Sequence, residues 1–463
     1  MFRTSEAPMT TTECMPRIRF GFHPRRVVDV SADAPTTSSD GGLVMLRQLD
    51  EQLGLCARLA PLLVDRRDPR FTQHPRLEQL RQRVFQIVMG YEDQNDATAL
   101  RRDPVWKVAC DRNVEEDDAL SSQPSLSRFE HAMTARAVVE LTRAFEDEYV
   151  ASLPGDTDEI VLDLDSTEDP THGQQPLSFF NAHYDGYMYF PLLVFDGECR
   201  LAGLRLRPGN AGNNRYATPL MVRLVRKLKA RFPDARILIR ADAGFCVPRF
   251  LDAIERLDRE LTHVRYVIGV QQNSRLVGLA HAPMQEAARE AHATGQTTRR
   301  FDTFPYASRS WTHERCIVVK AEHLGDKANP RFVVTTVDER DPRIVYEKLY
   351  CPRGQAENAI KDFKRALAGD RLSCTTYVAN AFRLLLHAVA YRLLDALRRV
   401  VVRVAPSFGR RQFDTLRLLL LKVAALVGQS VRRVTLQLPA AFPMAEVFVA
   451  VARAIGARAP RAA

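Results

Sequence analysis

Two apolar runs that end in aspartate constrain the fold of this chain more than any other feature. Residues 160–165 read IVLDLD, and residues 236–241 read RILIRA and are followed by Asp242. Runs rich in β-branched and apolar residues predict buried strands. Because side chains alternate along a strand, Asp163 and Asp165 share one face. Carboxylates are costly to bury unless they bind something, so the runs predict an α/β sheet with a polar site at one edge.

Ordinary structural roles compete with a binding role for these aspartates. An aspartate cluster often ends a strand as a turn. That role explains the residues 168–170 better than it explains Asp163 and Asp165. Capping the next helix is a frequent role for an aspartate in the position of Asp242. We favour the binding role because two aspartate-ended strands occur in one chain.

A third acidic residue lies in the stretch 350–364, YCPRGQAENAIKDFK. If this stretch is helical, Tyr350, Arg353, Glu357 and Lys364 follow one another at steps of 3, 4 and 7 and share one helix face. A solvated, salt-bridged face is the ordinary explanation of such a pattern. The combination also suits a site for a metal ion and a phosphodiester, with glutamate for the metal and the two cations for the phosphate.

The ends of this helix are predicted from two residues. Pro352 suits a first helical turn, and Gly369 suits a stop.

The charge of the chain favours a polyanionic partner. The 463 residues carry a net charge of +10, which points first to nucleic acid. The most apolar stretches, 383–404 and 416–428, contain charged residues and are predicted to be core helices instead of membrane spans. The eight cysteines occur singly without a CxxC pair, which argues against zinc and disulfides and for reduced thiols in a cytoplasmic protein.

Changes in periodicity divide the chain into six regions. They are a flexible arm (1–42, with a short strand near 18–22), a helical DNA-binding domain (43–150), the first part of the α/β core (155–270), a β-rich insertion (271–345), the core helix that carries Glu357 (346–376) and a C-terminal helical region (377–463).

The DNA-binding prediction for the helical domain depends on residues 121–141. Ser125, Ser127 and Arg128 lie at the head of a predicted helix, as in a helix-turn-helix reading head. An ordinary pair of antiparallel helices fits this stretch equally well.

The order of elements, with Asp165, Asp242 and Glu357 in these places, resembles the ribonuclease-H-like core of DDE transposases. The spacing Tyr-x2-Arg-x3-Glu-x6-Lys is similar to the signature of bacterial insertion-sequence transposases of the IS-four superfamily. The D-x-T pattern that starts at Asp165, the RADAGF segment around Asp242 and the stretch 169–187 resemble the same group. The resemblance covers about 155–395.

The resemblance implies an α/β fold, with a ribonuclease-H-like mixed sheet, a β-rich insertion and helical regions on both sides. It implies that Asp165, Asp242 and Glu357 are catalytic and bind two Mg²⁺ ions, for which Mn²⁺ substitutes. Tyr350 is expected to bind DNA together with two cationic residues, Arg353 and Lys364. The implied reaction is cut-and-paste transposition, in which transposon ends are cleaved and their 3′-hydroxyls are joined to target DNA.

The implied partners are double-stranded DNA, as terminal inverted repeats and as target, and a second copy of the chain in a synaptic complex at the bacterial nucleoid. In many relatives a DNA hairpin forms and the β insertion holds a flipped base. For Trp311 we expect a core position in preference to that role. Asp163 is either a supporting group near the metal ligands or an alternative to Asp165.

Three other functions remain open at this stage. The first is a structure-specific or repair nuclease on the same core, which does not explain the four-residue spacing. The second is a DNA-binding regulator derived from a transposase, against which the intact acidic residues argue. The third is a small-molecule phosphohydrolase, which fits poorly with the positive charge.

Overall fold

The computed structural model of the chain describes residues 18–20, 22, 24–31, 34, 36–325 and 327–458. Residues 1–17 of the predicted arm, with Cys14, lie outside the described residues. The described part of the arm forms three short strands: β1 (Ile18–Phe20), β2 (Val28–Val30) and β3 (Thr37–Ser38). Strands β1 and β2 pair with each other, and β3 joins a sheet near the C-terminus.

Between residues 43 and 152 the described chain is helical, as its periodicity predicts. It contains α1 (Leu43–Leu53), α2 (Leu55–Leu59), α3 (Arg76–Met89), α4 (Asp96–Leu100), α5 (Pro104–Ala109), α6 (Gln123–His131) and α7 (Ala135–Ser152). In α3, Leu80, Val84 and Ile87 return to one face and are buried. Gly90 ends this helix with a φ of 83°, a conformation that glycine adopts without strain.

The α/β core follows the helical region. Its elements are β4 (Glu159–Ser166), β5 (Asp169–Pro170), β6 (Phe179–Asn181), β7 (Gly186–Tyr189), β8 (Leu192–Asp196), β9 (Leu201–Arg205), α8 (Ala217–Arg231), β10 (Arg236–Ala241), α9 (Pro248–Leu261) and β11 (Val264–Val270). Strands pair in the order β9-β8-β4-β10-β11. The strands β4, β10 and β11 are parallel, whereas β8 and β9 are antiparallel to their neighbours. The core is therefore the mixed α/β sheet that the resemblance implies.

The segment 271–345 was predicted to be a β-rich insertion, and its described strands extend this sheet. It forms α10 (Ser274–Leu279), α11 (His281–Thr294), β12 (Thr298–Tyr306), β13 (Arg315–Leu324), β14 (Lys327–Ala328) and β15 (Arg331–Thr335). Strand β15 pairs with the edge of β11, and β13 and β12 follow it. An open strand edge has unpaired backbone groups, so pairing there satisfies them. The two helices were missed, although 281–294 is rich in the helix formers alanine and glutamate.

Side-chain alternation decides what each face of the sheet contacts. In β4, Ile160, Leu162 and Leu164 are buried in the core that α8 and α9 form with the sheet. Val161 lies on the opposite face and packs in the core that includes Val345. Asp163 and Asp165 share that second face, as the sequence predicts.

The second face is covered by one continuous helical run from 344 to 366. It changes geometry along its length: a π-helix (Ile344–Tyr350), a 3₁₀ turn (Cys351–Gly354), α12 (Gln355–Lys361) and a second π-helix (Asp362–Ala366). The predicted helix is present but begins at Ile344, earlier than the predicted start at Pro352. Pro352 lies in the 3₁₀ turn inside the run and not in its first turn. These changes of pitch alter which residues share a face.

The C-terminal region is only partly helical. It contains α13 (Tyr377–Val404), α14 (Phe413–Leu416), β16 (Ala425–Ser430), β17 (Arg433–Gln437) and α15 (Ala445–Ala454). The prediction of a helix over 416–428 is wrong beyond Leu421, since β16 pairs there with β17 and β3. A short apolar run fits a helix and a buried strand equally well, so the presence of neighbouring strands to pair with decides which of the two forms.

Helix α13 joins the helical regions to the sheet. It contacts α1, α3, α6 and α7 on one side and β9 on the other. Buried side chains of all these elements form one hydrophobic core. Among the described residues, no helix is both long enough and apolar enough to span a membrane.

Candidate active site

One cavity of about 900 Å³ brings together most of the predicted site residues. Asp165, Asp242 and Glu357 line it, and so do Arg353 and Lys364. These residues come from two strands and one helical run that are far apart in the sequence. Of the six predicted residues, only Tyr350 lies outside this lining.

The two aspartates meet because β4 and β10 are adjacent parallel strands in register. Leu164 lies opposite Ala241, so that Asp165 and Asp242 occupy the next positions of the two strands. The carboxyl ends of parallel strands share one edge of the sheet, where open α/β folds place polar groups. Glu357 reaches the same edge from the first turn of α12 and is exposed to solvent.

Asp165 is largely buried and is only partly neutralised. Its side chain is 15% exposed, and Nη1 of Arg353 donates to its Oδ2 at 3.3 Å. The backbone N–H of Ser166 donates to Oδ1 at 2.8 Å. Burial raises the pKa of the Asp165 carboxyl to about 6; Arg353 opposes this rise, and Asp242 and Glu357 add to it. A nearby cation would favour the charged form of this group.

Asp242 combines the two roles that its position suggests. Its Oδ1 accepts a hydrogen bond from the backbone N–H of Gly244 at 2.9 Å and caps the short turn Ala243–Phe245. The side chain also lines the cavity. Gly244 packs closely on Asn213, because a Cβ there would lie 2.0 Å from Nδ2 of Asn213 and would displace that side chain.

Tyr350 lies beside Arg353 instead of in the cavity wall. The guanidinium carbon of Arg353 lies 5.9 Å from the centre of the Tyr350 ring, a distance at which the two groups attract. The Tyr350 hydroxyl approaches strand β11 so closely that a Cβ at Gly269 would lie 2.7 Å from it. Burial raises the pKa of Tyr350 above its ordinary value, so the phenol stays neutral near pH 7.

Lys364 lines the cavity but already has two acidic partners. Its Nζ forms an ion pair with Glu168 and lies 3.5 Å from Oδ2 of Asp370. Both partners also line the cavity. The sequence analysis assigned Glu168 to a turn and did not single out Asp370, because no local pattern relates either residue to Lys364.

Asp163 faces a cation and not the cavity. Nε and Nη2 of Arg240 donate to its two carboxylate oxygens, each at 2.6 Å, and both side chains are buried. Burial raises the pKa of Asp163, and the arginine opposes that rise. Nη1 of Arg240 donates to the carbonyl of Leu349 at 3.0 Å. The pair therefore ties β4 and β10 to the helical run that carries Glu357.

Arg207 supports the site and escaped the sequence analysis. It is fully buried, and its Nη2 donates to the hydroxyl of Ser166 at 2.7 Å. It also donates to the carbonyls of Phe190, Gly212, Asn213 and Arg215. Burial lowers the pKa of Arg207 to about 10. A single arginine just beyond the end of a strand gives no sequence signal for such a role.

Two other expectations concern residues outside the cavity. Trp311 packs between Tyr306, at 5.5 Å between ring centres, and the guanidinium of Arg315, at 5.1 Å. The expected core position is therefore approximately right, although the ring is half-buried. The seven cysteines among the described residues are free thiols.

A separate group of possible metal ligands lies near Trp311. Asp252, Glu255 and His313 each place one ligand atom within 4.8 Å of the others. Arg315 forms ion pairs with both carboxylates, so one cation already neutralises part of their charge.

The predicted reading head of the helical domain borders a basic cavity of about 600 Å³. Ser125 and Arg128 line it together with Arg66, Arg67 and Arg76. Ser127 does not line it. Such clustered arginines are suited to phosphate groups.

The sequence matches the family described as "Transposase DDE domain group 1" over residues 20–459. No curated protein sequence matches the chain significantly. The fold is similar to that in the cryo-EM structure of a piggyBac transposase synaptic complex with hairpin DNA, at 13% sequence identity and a TM-score of 0.40, over 83% of this chain and 79% of that chain. A TM-score this low adds nothing to the assignment. Because the family match spans nearly the whole sequence, the chain belongs to the transposase DDE domain group 1 family.

Proposed function

We propose that this protein cleaves the ends of a transposable element in a metal-dependent reaction and joins the 3′-hydroxyls to target DNA. One observation carries the proposal: Asp165, Asp242 and Glu357 line one cavity together with Arg353. Membership of a DDE transposase family makes a DNA transposase the expected activity. The details of the reaction are inferred from the chemistry of these side chains.

The donor set fits divalent cations that prefer oxygen. Asp165, Asp242 and Glu357 offer carboxylate oxygens, and no cysteine or histidine lines the cavity among the described residues. Burial raises the pKa of Asp165, and Arg353 only partly opposes that rise, so a bound cation would further stabilise the charged carboxylate. Two Mg²⁺ ions, or Mn²⁺ in their place, would stabilise negative charge on the attacking and leaving oxygens of the phosphodiester.

The cationic side chains of the cavity would hold the DNA backbone. Arg353 uses one donor at 3.3 Å on Asp165, and a guanidinium has further N–H groups for a phosphate oxygen. Tyr350 packs against Arg353 and restricts its orientation. Lys364 binds DNA only if a phosphate competes with Glu168 and Asp370 for its ammonium group.

The remaining assignments extend the same proposal. The DNA partners are terminal inverted repeats and target DNA, and two copies of the chain are expected in the synaptic complex. The basic cavity at Arg128 supports a role of the helical domain in binding the repeats. The Tyr-x2-Arg-x3-Glu-x6-Lys spacing supports an origin among bacterial insertion sequences of the IS-four superfamily, with action at the nucleoid.

Reaction products distinguish this proposal from the two alternatives that also bind DNA. A structure-specific nuclease cuts DNA but leaves no joined product, and a DNA-binding regulator leaves the ends uncut. The decisive assay incubates the purified full chain with a supercoiled donor plasmid and a target plasmid. In the donor plasmid, a marker is placed between the terminal repeats that flank the gene. With Mg²⁺ or Mn²⁺ we expect double-strand breaks at both ends and joined products; with EDTA we expect neither.

Matched variants locate the chemistry in the cavity. Asp242→Asn and Glu357→Gln should abolish cleavage while end binding in a gel-shift assay largely survives. Glu347→Gln is the control, because Glu347 belongs to the same helical run but forms a surface pair with Arg343. Wild-type cleavage by Asp242→Asn or Glu357→Gln would remove that residue from the site. Cleavage without joining would favour the nuclease.

A further inference from the structure

Three side chains that can bind a metal ion meet outside the cavity of the proposed active site. Asp252 and Glu255 lie about one turn apart on α9, and His313 lies between β12 and β13. Each residue offers one ligand atom, and these atoms lie within 4.8 Å of one another. We call them the Asp-Glu-His group. None of the three lines the cavity that contains Asp165, so the group is separate from the proposed Mg²⁺ site.

His313 directs one ring nitrogen to the group and uses the other for a hydrogen bond. Its Nε2 lies 3.2 Å from Oε2 of Glu255. Its Nδ1 and the hydroxyl of Thr312 are hydrogen-bonded at 3.0 Å. A histidine that binds a metal ordinarily uses its second ring nitrogen in this way, which fixes the orientation and the tautomer of the ring. The side chain is 50% exposed, so an ion reaches it from solvent.

Neighbouring donors hold one oxygen of each carboxylate. Nε of Arg315 and the hydroxyl of Tyr266 donate to Oε1 of Glu255, at 2.6 and 2.7 Å. Nη2 of Arg315 and the hydroxyl of Thr312 donate to Oδ1 of Asp252. Oε2 of Glu255 receives a longer contact of 3.1 Å from the same Nη2. The carboxylates are therefore positioned before an ion binds, which lowers the entropic cost of binding.

The charge of the group favours a further cation. Asp252 and Glu255 bring two negative charges, and Arg315 brings one positive charge. With a neutral imidazole, which metal binding requires, one negative charge remains. Carboxylates that bind a metal are themselves commonly hydrogen-bonded by outer groups, and Arg315 is placed for that role. One imidazole nitrogen with carboxylate oxygens suits Zn²⁺, whereas Mg²⁺ and Ca²⁺ favour oxygen ligands.

We propose that Asp252, Glu255 and His313 bind one Zn²⁺ ion, with water in the remaining coordination position. The ion joins α9, which packs in the core beneath the sheet, to the segment between β12 and β13. Because the ligands come from two elements that meet only in the folded chain, binding of Zn²⁺ stabilises the folded state. This site is independent of the proposed transposase activity.

The experiment titrates Zn²⁺ into the metal-free full chain and follows binding by isothermal titration calorimetry. Excess Mg²⁺ is present throughout, so that the carboxylates of the active-site cavity do not compete for Zn²⁺. Wild type should bind one Zn²⁺ ion per chain, and its Tm should rise with the Zn²⁺ concentration. His313→Ala should lose this binding. Thr312→Val keeps all three ligands but removes the hydroxyl behind them, and should weaken binding about 10- to 100-fold.

Two control variants exclude other zinc ligands. Cys316→Ser removes an exposed thiol that follows Arg315 in β13. His281→Ala removes an exposed histidine at the start of α11. Both variants should bind Zn²⁺ with wild-type affinity. Thermal unfolding in EDTA will show that each variant is folded without the metal.

Three results would overturn the proposal. Absence of saturable Zn²⁺ binding by wild type would show that the group is an ion-pair network only. Unchanged binding by His313→Ala would place the ion elsewhere, and loss of binding in Cys316→Ser would assign it to that thiol. None of these results bears on DNA cleavage, because the titration contains no DNA.

Discussion

Asp163 and Asp165 are two residues apart on one strand and one face, yet their surroundings differ. Asp163 receives two hydrogen bonds of 2.6 Å from Arg240, its in-register neighbour on β10. Asp165 receives one hydrogen bond from a cationic side chain, of 3.3 Å from Arg353 on another element, and Asp242 and Glu357 lie near it. The first aspartate is neutralised within the sheet, whereas the second has carboxylates around it and a cavity in front of it.

The difference shows that burial by itself does not identify a functional carboxylate. Burial raises the pKa of both groups. What separates them is whether a cation of the same sheet balances the charge. At Asp163 the helical run closes over the strand, since Arg240 also donates to Leu349. At the strand end the same run leaves space, and the charge of Asp165 remains available for a ligand.

The largest expected effect is on catalysis by Asp165→Asn. Replacing a metal-binding carboxylate by an amide should slow strand cleavage at least about 10³-fold, a barrier increase of ~4 kcal/mol. The readout is the single-turnover cleavage rate of the end duplex, with circular dichroism as the test of folding. An Asp165→Asn variant with a wild-type rate would contradict the assignment of Asp165 to the metal site and of Asp163 to a structural ion pair.

The next effect is on stability, and it belongs to Asp163. Asp163→Asn leaves the charge of Arg240 buried without a counterion and should lower the free energy of unfolding by about 3 kcal/mol. Urea unfolding measures this loss. Glu140→Gln is the control, because it breaks an exposed pair with Arg136 and should cost less than about 1 kcal/mol. Equal losses in the two variants would mean that the buried pair has no special role.

The pH dependence of stability should report Asp165 in the metal-free protein. Its pKa is about 6 when folded and 3.8 ordinarily, so the folded state binds more protons between pH 4 and 6. The free energy of unfolding therefore falls as pH rises through that window. The Asp165 carboxyl contributes up to about 1.4 kcal/mol per pH unit to this fall. Asp165→Asn should remove this contribution, and Glu347→Gln should keep it.

Urea titrations in EDTA across that window measure the slope. An unchanged slope in Asp165→Asn would show that the carboxyl titrates normally. Adding Mg²⁺ at pH 7.5 should stabilise the wild type more than this variant.

The smallest expected effect is that of removing both charges of the structural pair. The free energy of unfolding of the double variant Asp163→Leu, Arg240→Met should lie within about 1 kcal/mol of the wild-type value. The reason is that apolar residues of similar volume replace a buried ion pair at little cost. Denaturant unfolding of the double variant beside both single variants measures the recovery. A double variant as unstable as Asp163→Asn would indicate that the bond from Arg240 to Leu349, and not the charge balance, supports the fold.

Much of the core was predictable because its signals are local. The bounds 236–241 agree with β10, and α13 includes the predicted helix 383–404. The apolar run 416–428 misled the analysis, since its second half becomes a strand only by pairing with β3 and β17. The strands of the predicted β-rich insertion continue the main sheet because the edge of β11 is open to them, and no local pattern in the sequence indicates that pairing.

The sequence by itself determined the alternation that puts Asp163 and Asp165 on one face and the strand end that exposes Asp242. It also determined the helical character of the stretch that carries Glu357. Only the tertiary structure decided which aspartate is neutralised. The partners of Asp163 and Asp165 lie 77 and 188 residues away in the sequence, and packing of the sheet and the helical run selects them. Periodicity acts over a few residues, whereas charge balance depends on groups that meet only when the chain has folded.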